Sequence, residues 1–330
     1  MHDSSHQYKK SLRNHVGLSK RMTFSLGQLA RVREAISAQT TCAREEICIY
    51  VAGSLGRLET GKISDLDVFL FVDSIQNTPG KRTITRLEEI MVLSEIIQVN
   101  TELNLPPFSG DGEYFKIHEV SELLAGAGTA TDDSENLFTT RLLLLLESKC
   151  LVNDTLYNNA AKKVLEMYIR DGTGRDDYKP LFLLNDILRY WRTVCLNYER
   201  TRHDKSKPWW KKNLNLKFSR KLTVFSTVLV ILIERVDTFE KFAPFAAMTP
   251  MERLAHSLDS MGDLSLLPHF ECFLDNYEEF LAAKSHAEFE EARPDAAEHF
   301  RATAQHFDDF LHLIFASTKL DAKLIRYLII

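Results

Sequence analysis

The fold of this chain is decided by residues 51–72, which read V-A-G-S-L-G-R-L-E-T-G-K-I-S-D-L-D-V-F-L-F-V. The β-branched, apolar residues 47–51 predict a buried strand that ends at Gly53 and Ser54. A glycine at this turn permits a positive φ and lets a phosphate chain approach the backbone closely. Backbone N–H groups and the Ser54 hydroxyl then donate to phosphate oxygens, as in other glycine-rich turns. The turn is therefore a candidate phosphate site.

A second predicted strand begins at Asp65 and continues through the apolar run 68–72. Because side chains alternate across a strand, Asp65 and Asp67 project to one side and Leu66 is buried on the other. Two such close carboxylates repel each other, and a divalent cation such as Mg²⁺ or Mn²⁺ relieves that repulsion. The alternative is a solvated strand start with two acids that bind nothing. The combination of strand, Gly-Ser turn, aspartate pair and second strand favours the metal.

The pattern G-S-x10-D-L-D resembles the signature of the DNA polymerase β-like nucleotidyltransferase superfamily. The longer stretch G-S-L-G-R-L-E-T-G-K-I-S-D-L-D is similar to the amino-terminal catalytic motif of the bacterial PII-protein uridylyltransferases and their uncharacterised relatives. That narrower match includes Gly56, Arg57, Glu59 and Ser64. No pattern typical of the hydrolase or regulatory domains of those enzymes is present, so the resemblance does not imply PII itself as the substrate.

The resemblance assigns a role to each residue of the shared signature. It implies that Asp65 and Asp67 hold the metal that carries a nucleoside triphosphate, and that Gly53 and Ser54 bind the phosphates. Arg57 either neutralises charge near the leaving pyrophosphate or forms a structural pair with Glu59.

A third carboxylate on a neighbouring strand serves the metals or the attacking group in many members of the superfamily. Residues 113–120, E-Y-F-K-I-H-E-V, alternate in polarity and predict a third strand. Glu113 at its start is the candidate for this catalytic role, ahead of Asp111 and Glu119. The alternative for Glu113 is a solvated strand end.

Residues 202–221 form a second candidate ligand-binding segment, because basic residues there surround Trp209 and Trp210 in an otherwise acidic chain. Basic charge beside aromatic faces suits a triphosphate with its base, or a nucleic-acid strand. The candidate phosphate ligands are Lys212, Lys217, Arg220 and Lys221. The alternative is a basic loop whose tryptophans anchor it to a helical core.

Helical periodicity before, between and after these strands predicts an α+β fold: a small mixed sheet with flanking helices, followed by an all-α domain. The predicted divisions are a mobile or loosely helical basic arm over 1–22, a nucleotidyltransferase domain over 23–153 and a helical domain over 154–330. The active site is expected in the cleft between the last two. The second half is predicted to contain helices over 155–169, 181–198, 219–236, 250–260, 268–283 and 297–317.

Composition restricts the class of protein further. A net charge of −5 excludes a globally basic nucleic-acid coat, although it permits a local basic groove. The five cysteines are scattered without a C-x-x-C pair, which argues against a disulfide scaffold or zinc site and fits a cytoplasmic protein. No apolar run is long enough for a membrane span, and no secretory signal is evident.

Together these features predict an Mg²⁺-dependent nucleotidyltransferase that uses an NTP and releases pyrophosphate. The motif favours a protein acceptor, with an RNA end, a small molecule or a second nucleotide as the alternatives. A different class also fits: a catalytically inactive NTP sensor, or a toxin–antitoxin component that retains the aspartates. The base and the oligomeric state stay open.

Overall fold

A computed structural model describes residues 6–73, 83–108, 115–170, 178–200, 202, 209–285 and 294–328, with the backbone alone at 209–211, 294–297 and 324. The chain divides into two compact units. The sheet unit is Arg21–Arg170, and the helical unit comprises Met1–Lys20 and Asp171–Ile330. Within the described residues no helix is both long and apolar enough to cross a membrane.

The sheet is small and mixed, as the sequence predicts. Its strands are β1 (Ile47–Val51), β2 (Val68–Val72), β3 (Ile117–Glu119) and β4 (Lys149–Val152), in the order β3-β2-β1-β4. β1 pairs antiparallel with both β2 and β4, and β2 pairs parallel with β3. Val51 lies opposite Val68, so the Gly-Ser turn leaves β1 at the end where β2 begins.

The helices account for most of the described residues. Numbered along the chain, they are α1 (Gln7–Asn14), α2 (Val16–Ser37), α3 (Gly53–Gly56), α4 (Arg86–Glu102), α5 (Val120–Ala125), α6 (Ala130–Ser134), α7 (Leu137–Leu146), α8 (Asp154–Ile169), α9 (Leu181–Arg200), α10 (Trp209–Asn215), α11 (Lys221–Ile233), α12 (Phe239–Ala247), α13 (Pro250–Met261), α14 (Leu267–Lys284), α15 (Pro294–Ala316) and α16 (Ala322–Ile325). A π-helical turn, Leu216–Arg220, joins α10 to α11. Two short 3₁₀ segments are Leu264–Leu266 and Arg326–Leu328. The fold class is therefore α+β, as predicted.

The core of the sheet unit forms where α2 and α4 cover the sheet. Val32 and Ile36 of α2 and Val92 and Ile96 of α4 are buried with the side chains of β1 and β2. The leucine-rich helix α7 is buried along its whole length, as its sequence predicts, because apolar side chains on every side exclude a solvent-facing helix. The Tyr50 hydroxyl donates to the Thr140 carbonyl oxygen, which ties β1 to α7.

The helical unit has a separate, aromatic-rich core. Phe218 stacks on Phe280 and on Phe307, at ring-centroid distances of 4.6 and 6.5 Å. α11 is apolar on nearly all sides and is buried from Leu222 to Leu232, apart from Phe225, which is half-buried. These contacts explain why the helices predicted for the second half are present within a few residues of their expected ends.

Three local expectations differ from the structure. Residues 7–22, expected as a mobile or loosely helical arm, form α1 and the start of α2, because Tyr8 is fully buried and Leu12 packs on the helical core. The second strand begins at Val68, three residues after Asp65, although the Asp67 carbonyl oxygen already accepts from Ala52 N–H at 2.9 Å. The third strand is the short segment β3, and the first part of the predicted strand lies outside the described residues.

Candidate nucleotide and metal site

The Gly-Ser turn and the aspartate pair meet in the sheet unit. Ala52 is extended, and Gly53 begins the short helix α3 with a left-handed φ of 63°. A Cβ built on Gly53 would lie 1.9 Å from Asp67 Oδ2, which shows that the carboxylate of Asp67 lies directly against the Gly53 backbone. Glycine is therefore required at position 53 both for its φ and for the space above its Cα.

The start of α3 presents polar groups beside this carboxylate. The N–H groups of Gly53, Ser54 and Leu55 open the helix, so no carbonyl of a preceding helical turn binds them. The next two N–H groups, those of Gly56 and Arg57, donate to the carbonyls of Ala52 and Gly53 at 3.1 and 3.0 Å. N–H groups at the start of a helix are chemically suited to anionic oxygens, although all four residues of α3 are buried.

The two aspartates flank one buried residue, although β2 begins only at Val68. Leu66 is buried, whereas Asp65 and Asp67 on either side of it are half-buried. Asp65 forms no hydrogen bond or ion pair with any described residue, so its oxygens remain available as ligands. Among the residues that the structure describes, no three His, Cys, Asp or Glu side chains are grouped closely enough to hold a metal. Two carboxylates still match the needs of Mg²⁺, which takes its other ligands from water and substrate phosphates.

Arg57 is held by two carboxylates inside the fold. Its Nε donates to Glu59 Oε2 at 2.9 Å, and its Nη1 donates to Glu147 Oε2 at 2.7 Å. Only 4% of the Arg57 side chain is exposed, and the Glu147 side chain is fully buried. Of the two roles considered from the sequence, these contacts correspond to the structural pair with Glu59.

The same loop touches the segment before β4 through its backbone. A Cβ on Gly56 would lie 2.0 Å from the Glu147 carbonyl oxygen, so only glycine fits there. Sequence reasoning missed Glu147, which lies 90 residues from Arg57. No local sequence signal connects the two, because this partnership depends on the pairing of β4 with β1.

The predicted third carboxylate is not located. Glu113 and Asp111 lie outside the described residues. Glu119, the remaining candidate, is occupied: its carboxylate accepts from the Thr83 N–H and hydroxyl, each at 2.8 Å. It therefore holds the chain ahead of α4 in place.

The four predicted basic ligands belong to the helical unit. Lys212 lies on α10, and Lys217 and Arg220 lie in the π-helical turn. The Arg220 guanidinium donates to the Tyr190 hydroxyl at 3.4 Å. The side chains of Trp209 and Trp210 lie outside the described residues. A nucleotide contact for these basic residues stays a prediction.

Lys221, the fourth of these residues, is buried at the start of α11. Its ammonium group pairs with Asp308 and lies 5.8 Å from the centroid of the Phe307 ring. Burial lowers the pKa of Lys221 below its ordinary value, while the hydrogen bond to Asp308 opposes that shift. A phosphate contact by Lys221 would require this pair to open.

The candidate site thus consists of the glycine turn, the Asp67 carboxylate packed against it, and the Asp65 carboxylate two positions earlier in the chain. The family resemblance rests on the motif over residues 53–67. No protein-family model and no curated protein sequence matches the chain.

Proposed function

We propose that the sheet unit is a DNA polymerase β-like nucleotidyltransferase. It would transfer a nucleoside monophosphate from an NTP to an acceptor hydroxyl and release pyrophosphate. The observation that carries this proposal is the contact between Asp67 and Gly53, because it supports a role for this carboxylate as a metal ligand beside a turn that could bind phosphate. Neither feature alone is specific, since D-x-D pairs and glycine turns are both common.

The residues fit an Mg²⁺ ion. Asp65 and Asp67 flank the buried Leu66 and are themselves half-buried. Mg²⁺ usually binds one or two carboxylates together with substrate phosphates, so two protein ligands suffice. When bound there, the ion would supply charge neutralisation for the triphosphate and for the pyrophosphate that leaves.

The reaction is a displacement at the α-phosphorus. An acceptor oxygen forms the new bond to phosphorus, the bond from the α-phosphorus to the bridging oxygen breaks, and pyrophosphate leaves with the electron pair. The acceptor proton passes to water or to the predicted third carboxylate, Glu113. Gly53 and Ser54 would orient the phosphates through backbone N–H groups and the serine hydroxyl.

The buried Arg57 network supports the turn instead of the substrate. Arg57 follows α3 directly, and its pairs with Glu59 and Glu147 fix the residues on which the phosphate contacts depend. We therefore assign Arg57 a positioning role.

The test incubates the protein with each radiolabelled NTP and with Mg²⁺ or Mn²⁺. Protein, RNA and small-molecule fractions are added in turn as possible acceptors. Wild-type protein is expected to release pyrophosphate and to label one fraction, whereas Asp67→Asn abolishes both. Glu34→Gln, which makes the same charge change on an exposed position of α2, is the matched control and should retain activity. NTP binding without any product would support an inactive sensor instead. Activity that persists in Asp67→Asn would refute the metal role.

A further inference from the structure

A pocket in the sheet unit adjoins the aspartate pair. It has a volume of about 270 Å³ and lies among α2, the loop that leads to Asp65, and the turn after α4. Its polar lining includes Gln28, Arg31, Lys62, Ser64, Asp65 and Asn104, and its apolar lining includes Leu55 and Leu66. Neither Gly53 nor Ser54 lines it. The pocket thus shares Asp65 with the candidate metal site and borders the phosphate turn at Leu55.

The size of the pocket restricts its occupant. Pockets for drug-sized ligands usually measure about 300–1,000 Å³, so this one lies at the small end of that range. A compound of a few carbons with polar substituents fits it. Its position beside Asp65, clear of Gly53 and Ser54, suits the group that receives the nucleotide.

The hydroxyl requirement comes from the proposed transfer, because the acceptor oxygen that attacks the phosphorus must carry a proton. Gln28 lines the pocket, but its Oε1 is buried and no described residue donates a hydrogen bond to it, so a ligand would reach that oxygen only after the side chain turned.

Two cationic side chains add the second requirement. Arg31 uses Nη2 to donate to the Leu103 carbonyl at 3.2 Å, which leaves most of its five N–H donors for a ligand. Lys62 forms no hydrogen bond or ion pair with any described residue. The described lining sets these two cations against one carboxylate, Asp65, which favours an anionic occupant and disfavours a cationic one.

From these observations we infer that this pocket binds the acceptor of the proposed nucleotidyl transfer, and that the acceptor is a small, anionic, hydroxyl-bearing compound such as a phosphorylated polyol. The inference rests on the proposed function for the identity of the acceptor, whereas the binding site itself does not. It replaces the protein acceptor that the motif alone favours.

Binding is tested first without NTP. Calorimetry and ligand-observed NMR are performed on the full chain with glycerol 3-phosphate and ribose 5-phosphate, and with ribose and kanamycin as neutral and cationic comparisons. We expect one of the phosphates to bind, and binding to fall about tenfold or more in the Arg31→Gln/Lys62→Gln double variant. Lys62→Gln alone, which breaks no described hydrogen bond, should give part of that loss. Lys162→Gln, at a half-buried lysine of α8 outside the pocket, is the matched control and should bind as wild type.

The second arm separates this inference from the proposed function. The double variant should lose transfer to the phosphorylated polyol while it still binds NTP with Mg²⁺, whereas Asp67→Asn should lose transfer but keep polyol binding. Any of three results would overturn the acceptor pocket. These are binding of neither phosphate compound by the wild type, binding by the double variant that is as tight as that of the wild type, and transfer of the label only to protein. A complete lack of NTP binding and turnover would instead overturn the proposed function and leave the binding result to stand alone.

Discussion

The carboxylate of Asp67 lies against the Cα of Gly53, so close that a methyl group at Gly53 would fall 1.9 Å from Asp67 Oδ2. The Ala52 N–H to Asp67 carbonyl hydrogen bond, 2.9 Å long, fixes the same two segments through the backbone. The turn and the acid therefore form one rigid unit. A change at Gly53 is therefore expected to affect both the fold and the proposed chemistry.

Gly53→Ala should destabilise the sheet unit by more than about 2 kcal/mol, because a left-handed φ is costly for alanine and the methyl group overlaps Asp67. Urea unfolding measures the change. Gly27→Ala is the control: Gly27 is exposed on α2 with open space around it, so alanine should add about 0.5–1 kcal/mol of stability. An unchanged unfolding midpoint for Gly53→Ala would contradict the close contact.

Arg57→Ala should cost about 3–5 kcal/mol, because it leaves the buried carboxylates of Glu59 and Glu147 without their shared cation. The chain offers a matched control in Arg44, which also pairs with two glutamates, Glu46 and Glu88. The Arg44 side chain is 31% exposed against 4% for Arg57, so Arg44→Ala should cost less than about 1 kcal/mol. Similar losses in the two variants, measured by urea unfolding, would show that burial does not set the strength of the Arg57 network.

The strands beside the turn were predictable because their signal is local. Residues 47–51 and 68–72 are apolar runs on either side of a glycine turn, and the structure pairs them in register from Val51 opposite Val68. The alternation of Asp65, Leu66 and Asp67 also follows from strand periodicity before β2 begins. The core of the candidate site was accessible from sequence for this reason.

The remaining features depend on contacts that no local pattern encodes. α4 is apolar on several sides, so periodicity did not distinguish the buried Val92 from Leu87 and Met91, which are 74% and 54% exposed. Tyr8 is buried against α13 and α14. Because its neighbours in sequence are basic, the charge pattern predicted a mobile or loosely helical arm and not a helix anchored to the core. The Arg57–Glu147 pair spans 90 residues of sequence and appears only when the sheet is assembled.

Asp65→Asn should abolish the stabilisation that Mg²⁺ and NTP give together, since a ligand present at about 100 times its Kd adds about 2.7 kcal/mol to the native state. In the absence of ligand the variant should be as stable as wild type or more stable, because Asp65 has no described partner and its charge repels Asp67. Thermal unfolding with and without Mg²⁺, NTP and a chelator measures both effects. A ligand-induced rise in Tm that survives in Asp65→Asn would remove Asp65 from the metal site.

The stability of the sheet unit should decrease as the pH falls from about 6.5 to about 4, because of His118 on β3. Burial lowers the pKa of His118 from its ordinary 6.5 to about 4, and Lys116 lowers it further, while Glu135 and Glu89 oppose the shift. The unfolded chain therefore binds the proton more tightly than the folded chain does. The contribution of neutral His118 to the free energy of unfolding is thus complete above pH 6.5 and is lost progressively below it. A shift of this size corresponds to a loss of about 3 kcal/mol by pH 4.

His118→Phe should flatten this part of the pH profile measured by urea unfolding, whereas His312→Gln, at an exposed position of α15, should leave it unchanged. An equally steep profile in His118→Phe would assign the acid sensitivity to other groups.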